Sequence, residues 1–301
     1  MSVVVDNISK HYGVQKALDQ VSFTAKKGEI VGLLGPNGAG KTTTMKILTC
    51  FIPQTSGSAE VCGYDVVDSP IEVRKKIGYL PEHNPLYKDM YIKEYLSFVA
   101  GLYNIEKKKK RVAEMIDMVG LGKEQHKKIQ ALSKGYRQRV GLAQSMMHDP
   151  EVLILDEPTS GLDPNQLAEI RNLIRSIGQE KTVIFSSHIM QEVQAICDKV
   201  VIINNGKLVA NDSIETLQGA GAAVQSVLIE TKQALPEEEL SSKQEIISIE
   251  SIGNNKYRVK GSNKADLREL IFTFAVANRI TLLQLHLEKT SVEDVFQQLT
   301  K

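Results

Sequence analysis

Tryptophan is absent from this 301-residue chain, cysteine occurs three times, and aromatic residues make up only 5% of it. The thiols, Cys50, Cys62 and Cys197, are too few and too scattered for a disulfide framework and lack metal-ligand spacing, which fits a reducing compartment. No apolar run approaches the roughly 20 residues needed to span a bilayer, and the start, "MSVVVDNISKHYG", has neither a charged n-region nor a long apolar h-region. The expectation is a cytoplasmic chain that meets a membrane only by docking on another polypeptide. A charge excess is also missing. Lys and Arg number 37 against 36 Asp and Glu, a formal net charge of +1, so no global field draws the chain to nucleic acid or to an anionic membrane. What is present, 42% hydrophobic and 24% charged residues over this length, is enough for more than one hydrophobic core.

Along the chain, "SVVVDNIS" and "QVSFTAKKGEIVGLLG" are β-branched runs broken by the turn signals "HYG" and "KKG". From Leu86 to Gly120 the pattern is helical, with Tyr95, Phe98, Val99 and Leu102 on one face and Val112, Met115, Ile116 and Val119 on another. "EVLILDEP" and "KTVIFSSH" are short continuous apolar runs followed by helical patterns, the form of buried parallel strands. A break near Gln218 separates a second region of "SVLIE", "IISIES", "NKYRVKG" and "TLLQLHLEK". In the last of these Leu283, Leu285 and Leu287 alternate with polar residues, and Leu267, Leu270, Ile271 and Phe274 form a helical stripe before it. With "PEEELSSK" as its first helix, this region fits a small ferredoxin-like α+β domain. "SVEDVFQQLT" predicts a last helix with Ser291 and Asp294 in a capping box.

The strongest local signal is "GPNGAGKT", Gly35 to Thr42, which matches G-x-x-x-x-G-K-[ST] between a strand and a helix. Gly35, Gly38 and Gly40 let the backbone turn so that N–H groups, those of Asn37 and Ala39 included, face phosphate oxygens. Lys41 neutralises β/γ charge, Thr42 offers a hydroxyl to Mg²⁺, and Thr43 stands next for a phosphate contact. At the end of an apolar strand, Asp156 can hold Mg²⁺ through water and Glu157 can polarise an attacking water. His188 ends another strand, where a neutral imidazole reaches the γ-phosphate or the water, or serves structure alone. Tyr12 either stacks on a nucleobase or is a half-buried turn residue. "ALSKGYRQR" sets Ser133 and Gly135 at a helix start, where free N–H groups gather an anion.

Taken in order, the phosphate loop, "LSKGYRQR", "LILDEP", "SGLD" and "SSH" resemble the nucleotide-binding subunit of ATP-binding cassette (ABC) transporters over about residues Val3 to Leu217. The resemblance implies an α/β P-loop NTPase fold: a RecA-like parallel sheet, N-terminal antiparallel strands and a helical subdomain at about 86–150 within a domain of residues 1–218. A C-terminal α+β domain occupies 219–301. It implies ATP and Mg²⁺ as cofactors, Tyr12 as the base-stacking aromatic, Asp163 in the D-loop and His188 as the switch histidine. Ser133 and Gly135 would then contact the γ-phosphate held by a second ATP-binding subunit, in a homodimer, with Arg137 and Arg139 as packing or interface charges. Two departures stand out. The usual L-S-G-G-Q is here Leu132, Ser133, Lys134, Gly135, Tyr136, and Glu82 stands where a glutamine is usual, either a metal-proximal hinge that keeps a Mg²⁺ contact but loses any donor role, or a plain loop acid.

These departures and the terminal "SVEDVF" look like the exporter subfamily, and the chain is similar to gliding-motility-associated ABC ATPases of bacteria. The function implied is ATP hydrolysis coupled to transport through an integral-membrane permease, peripheral to the cytoplasmic face of the inner membrane. The permease would be gripped near Glu82 and "PLYKDMYIKEYLSF", whose Tyr91, Tyr95 and Phe98 are either a docking groove or the lobe's own core. The alternatives are a soluble ABC ATPase acting on ribosomes or DNA, or a slow nucleotide switch. A single cassette without sustained heptads, and a "EKKKKR" run that reads as a solvated helix face, argue against a nucleic-acid partner. From Ala222 onward ten basic and eleven acidic residues argue the same, leaving regulation or dimer contact as the C-terminal role.

Overall fold

The computed structural model describes residues 1–220, 224–262 and 266–288, so the terminal "SVEDVFQQLT" helix lies outside the described residues. The chain divides into two compact units, Met1–Ser213 and Ile214–Lys301, five residues earlier than the break near Gln218 suggests, because α8 (Ile214–Ala220) belongs to the second unit.

The first unit holds two sheets. The antiparallel one is built from β1 (Val3–Tyr12), β2 (Gln15–Ala25), β4 (Ser56–Val61) and β5 (Tyr64–Asp65), in the order β2-β1-β4-β5. The other has six strands, β3 (Ile30–Leu34), β6 (Ile77–Leu80), β7 (Val152–Leu155), β8 (Thr182–Ser187), β9 (Lys199–Asn204) and β10 (Lys207–Ser213), in the order β10-β9-β3-β8-β7-β6. Five of these run parallel and the edge strand β10 is antiparallel. Every residue of β3, β7 and β8 is buried, as near-continuous apolar runs covered on both faces require. One core joins the two sheets, with Val5, Phe23 and Val61 packed alongside Val31, Ile154 and Ile184. At Gly78 in β6 the packing is close enough that a Cβ would stand 2.2 Å from the Ser145 carbonyl oxygen and 2.6 Å from Leu153.

Helices α1 (Lys41–Leu48), α2 (Pro70–Lys76), α6 (Pro164–Gly178) and α7 (Met190–Ile196) alternate with the strands. The helical lobe consists of α3 (Ile92–Leu102), α4 (Lys108–Met118) and α5 (Lys134–Ser145), joined by a short 3₁₀ turn at Ile129–Ala131. Its core takes Ile92, Tyr95, Leu96 and Val99 from α3 and Val112, Met115 and Ile116 from α4. Phe98 and Leu102, placed on the apolar face by sequence periodicity, are instead 43% and 65% exposed. The buried stripe runs through positions 92, 95, 96, 99 and 100, which turns 98 and 102 toward solvent.

In the second unit β11 (Val224–Thr231), α9 (Glu237–Ser241), β12 (Ile246–Gly253), β13 (Lys256–Ser262), α10 (Leu267–Ala277) and β14 (Leu282–Glu288) follow one another. The sheet order β12-β13-β11-β14, antiparallel throughout, is that of two interlocked split β-α-β units. Val227, Ile229, Val259 and Tyr257 pack under Leu267, Ile271 and Phe274. The alternation expected for β14 fails at Leu283, which is 60% exposed. A register shift pairs Glu230 with Gln284 but Thr231 with Leu282, so the extra residue is turned out while Leu285 and Leu287 still face the core.

Candidate functional site

A cleft of about 780 Å³ opens at the carboxyl ends of β3, β7 and β8, the place where parallel α/β sheets put ligands. The phosphate loop connects β3 to α1. Gly40 has φ +115° and sits close enough to the Ala17 carbonyl that a Cβ would stand 2.8 Å from it. Gly35 is needed for a different reason: its backbone is not left-handed, but a Cβ would lie 2.2 Å from the Ile203 oxygen. Behind the loop, the backbone N–H of Gly206 in the β9–β10 turn donates to the Ala39 carbonyl at 2.9 Å. The loop is thus held from outside itself.

Lys41, 6% exposed, folds back over the loop and donates to the carbonyls of Gly35 (2.7 Å) and Pro36 (3.2 Å). Its ammonium is 3.7 Å from the Glu157 carboxylate. Burial lowers the Lys41 pKa, although Glu157 and Asp156 pull it up. An ammonium held in that state gains most from an incoming polyanion.

Asp156, 1% exposed, follows β7. Its Oδ1 accepts from the Ser186 hydroxyl at 2.6 Å, and the Thr42 hydroxyl stands 3.4 Å away, so two of the three residues assigned to a metal from the sequence meet, while Glu82 lines the same cleft. Glu157 has φ +48°, a strained conformation for a non-glycine residue. Its amide donates to Ser186 at 2.9 Å and its carboxylate contacts His188 Nδ1 at 2.9 Å. Burial pushes the Glu157 carboxyl above its ordinary value, with the His188 hydrogen bond and Lys41 opposing. That brings a carboxylate nearer the range useful to a general base.

The cleft gathers most of the sequence-assigned residues. Tyr12, Asn37, Gly38, Ala39, Gly40, Thr43 and Glu82 line it together with Lys41, Thr42, Glu157 and His188. Tyr12 is half exposed at the end of β1, with the Lys10 ammonium 5.4 Å from its ring centre. Ser133, Gly135 and Asp163 are not among the lining residues. Ser133 caps α5, accepting from the Tyr136 amide at 3.4 Å, and Asp163 caps α6, accepting from Gln166 at 2.9 Å. Gly135 and Asp163 border a separate 260 Å³ depression, and a Cβ on Gly135 would press on the Gln166 side chain at 2.6 Å. Arg139 ties α5 to Glu169 of α6 and to the Val119 carbonyl, a packing role. Gln15, Lys16 and Asn205, which sequence reasoning passed over, also line the cleft. The first two follow Tyr12 across one turn, but Asn205 carries no motif.

The sequence profile of the family described as "ABC transporter" matches residues 18–160. The linearmycin resistance ATP-binding protein LnrL of Bacillus subtilis (strain 168) is 33% identical over 98% of this chain and 97% of its own length. The bacitracin transport ATP-binding protein BcrA of Bacillus licheniformis is 40% identical over 69% of each chain. A solved ATP-binding subunit of an ABC transporter superposes with a TM-score of 0.67 at 27% identity, covering 73% of this chain and 93% of the other. A dimeric ATP-binding cassette with ADP and phosphate bound shares the fold at a TM-score of 0.64 and 24% identity, over 70% of this chain and 98% of that one. By its P-loop cleft, its fold and a relative matched nearly end to end, the chain belongs to the ATP-binding subunits of ABC transporters and is an ATPase.

Proposed function

We propose that this chain is the motor subunit of an exporter: two copies close on ATP and Mg²⁺, hydrolyse it, and reopen to drive a separate permease. The observation that carries the reading is the cleft's arrangement of Glu157 between His188 at 2.9 Å and Lys41 at 3.7 Å. Glu157 is the general base, His188 orients it and the γ-phosphate, and Lys41 with the loop amides neutralises phosphate charge. Thr42 and Asp156, 3.4 Å apart, would hold Mg²⁺, with Glu82 lining the same cleft; a hydroxyl and carboxylates suit this hard cation, which when bound would neutralise phosphate charge. Tyr12 takes the base. Ser133 and Gly135, at the start of α5 and away from the cleft, serve the partner's nucleotide, and Asp163 lies at the same seam.

Among the described residues no helix is long and apolar enough to cross a membrane; the pore is assigned to a separate integral-membrane polypeptide, which holds this chain at the cytoplasmic face of the inner membrane. Tyr95 is committed to the lobe's core, whereas Tyr87, Tyr91 and Phe98 are exposed and suit a permease contact. The names of BcrA and LnrL, transport and resistance, favour export; gliding motility rests on the sequence resemblance alone. The second unit is assigned to regulation or dimer contact. The test is Glu157→Gln. Turnover should fall by about a hundredfold or more, as for loss of a general base, and ATP with Mg²⁺ should yield a dimer on size exclusion. Unchanged turnover would remove Glu157 from its role, and a variant monomeric at saturating ATP would refute the self-paired site.

A further inference from the structure

Among the buried polar residues, Glu192 stands apart: it is a carboxylate only 1% exposed, on the seven-residue helix α7, and sequence motifs give it no part. Its Oε2 accepts two hydroxyl hydrogen bonds, from Thr159 at 2.6 Å and from Ser187 at 2.7 Å. Its Oε1 is buried without a partner. A buried carboxylate with half its capacity unused is costly, so one oxygen gripping two hydroxyls calls for a reason.

The reason lies in what the hydroxyls belong to. Thr159 is two residues beyond Glu157 on the loop after β7, and Ser187 immediately precedes His188 at the end of β8. The Ser187 oxygen also accepts from the Ile189 amide at 3.0 Å, which leaves its proton free to go to Glu192 and fixes the backbone on both sides of His188. Three successive residues of this strand end thus reach across to the neighbouring loop. Ser186 holds Asp156 and the Glu157 amide, Ser187 reaches Thr159 through Glu192, and His188 meets Glu157 itself. Only the middle link needs an intermediary. Glu157 is in a strained left-handed conformation, which persists only when its surroundings over-determine it.

We infer that Glu192 is a positioning residue, a clamp between the two loops that keeps the Glu157 carboxylate and the His188 ring at hydrogen-bonding distance for hydrolysis. Glu192 does not line the cleft; it acts through Thr159 and Ser187. This rests on the assignment of Glu157 and His188 to hydrolysis made above.

The test compares Glu192→Leu, which removes the acceptor at similar volume, with Glu192→Gln, whose amide oxygen can take both hydroxyl bonds, in the full-length protein. Steady-state ATPase gives kcat and KM, and fluorescent-nucleotide titration gives ATP affinity. Leu should lower kcat by about ten- to a hundredfold, the scale of an ångström's misplacement in an active site, with KM and ATP affinity changed less than about twofold; Gln should recover most of kcat. Thr159→Val and Ser187→Ala should each reproduce part of the loss and add little to Glu192→Leu. Wild-type kcat in Glu192→Leu, an equal loss of kcat and ATP affinity, or no recovery with Gln while its thermal unfolding matches wild type would each overturn the inference. Glu157→Gln run alongside separates the failures. If it too keeps turnover, the assignment of the pair is wrong; if it loses turnover while Glu192→Leu does not, only the clamp is.

Discussion

Replacing Lys41 by Met should remove nucleotide binding while leaving the fold almost as stable as before. The ammonium is 6% exposed, and its surroundings, taken together, lower its pKa, burial outweighing the carboxylates. The folded state therefore binds this proton less tightly than the unfolded chain does. At neutral pH the charged lysine is a net burden, relieved only as the pH rises from the folded-state pKa toward the unfolded one. Methionine has similar length and no charge to desolvate. The change leaves the Gly35 and Pro36 carbonyls without a donor, at about 1 kcal/mol each where they are buried. Glu157 keeps His188. These effects oppose one another, so the net change should stay within about 1 kcal/mol of zero, or about 2–4 °C in Tm for a unit of this size.

A structural buried ion pair behaves differently: removing one partner costs about 3–5 kcal/mol, or roughly 6–20 °C at that scale. Scanning calorimetry with and without MgATP separates the cases. At about a hundred times Kd the wild type should gain about 2.7 kcal/mol from the nucleotide, and the variant nothing. A variant that unfolds more than about 6 °C early without nucleotide would show that Lys41–Glu157 is an anchor of the fold; one that still gains from ATP would show that Lys41 does not hold phosphate.

Two further outcomes concern the fold. Burial raises the Tyr79 and Tyr95 phenols to about 12; stability from this source is whole below the unfolded value near pH 10 and is lost as the pH climbs to about 12, at most about 3 kcal/mol for each. Burial raises the Tyr103 phenol as well, and with no tryptophan in the chain alkaline titration by ultraviolet absorbance should show a late group of phenols, Tyr79 and Tyr95 among them, ionising together with unfolding and losing one member in Tyr95→Phe; the same late group in Tyr95→Phe as in wild type would contradict it. Gly78→Ala places a methyl 2.2 Å from the Ser145 oxygen and should cost about 1–3 kcal/mol of stability, read as a lower Tm with turnover per folded molecule unchanged; an unaltered Tm would mean that β6 and α5 can part freely.

Which features could be read from the sequence follows from how local their causes are. The phosphate loop is one contiguous segment whose spacing already encodes a backbone shape. Asp156, Glu157 and His188 end strands whose apolar runs fix where those ends lie, so their convergence followed from strand order. Phe98 and Leu102 were misplaced because helical periodicity defines a stripe but not its centre, and Leu283 because one bulged residue reverses the parity of everything before it. Glu192 was invisible for a different reason. An acid on a short amphipathic helix reads as solvated, and only the fold brings Thr159 from another loop to meet it.

The hydrogen bond from Gly206 to the phosphate loop has a mechanical meaning. A loop braced by a neighbouring turn already has its shape when the nucleotide arrives, so little conformational entropy is surrendered on binding. If two copies close on ATP as proposed, what the triphosphate brings is then expressed in that closure, with the phosphate loop as the fixed jaw of the vice.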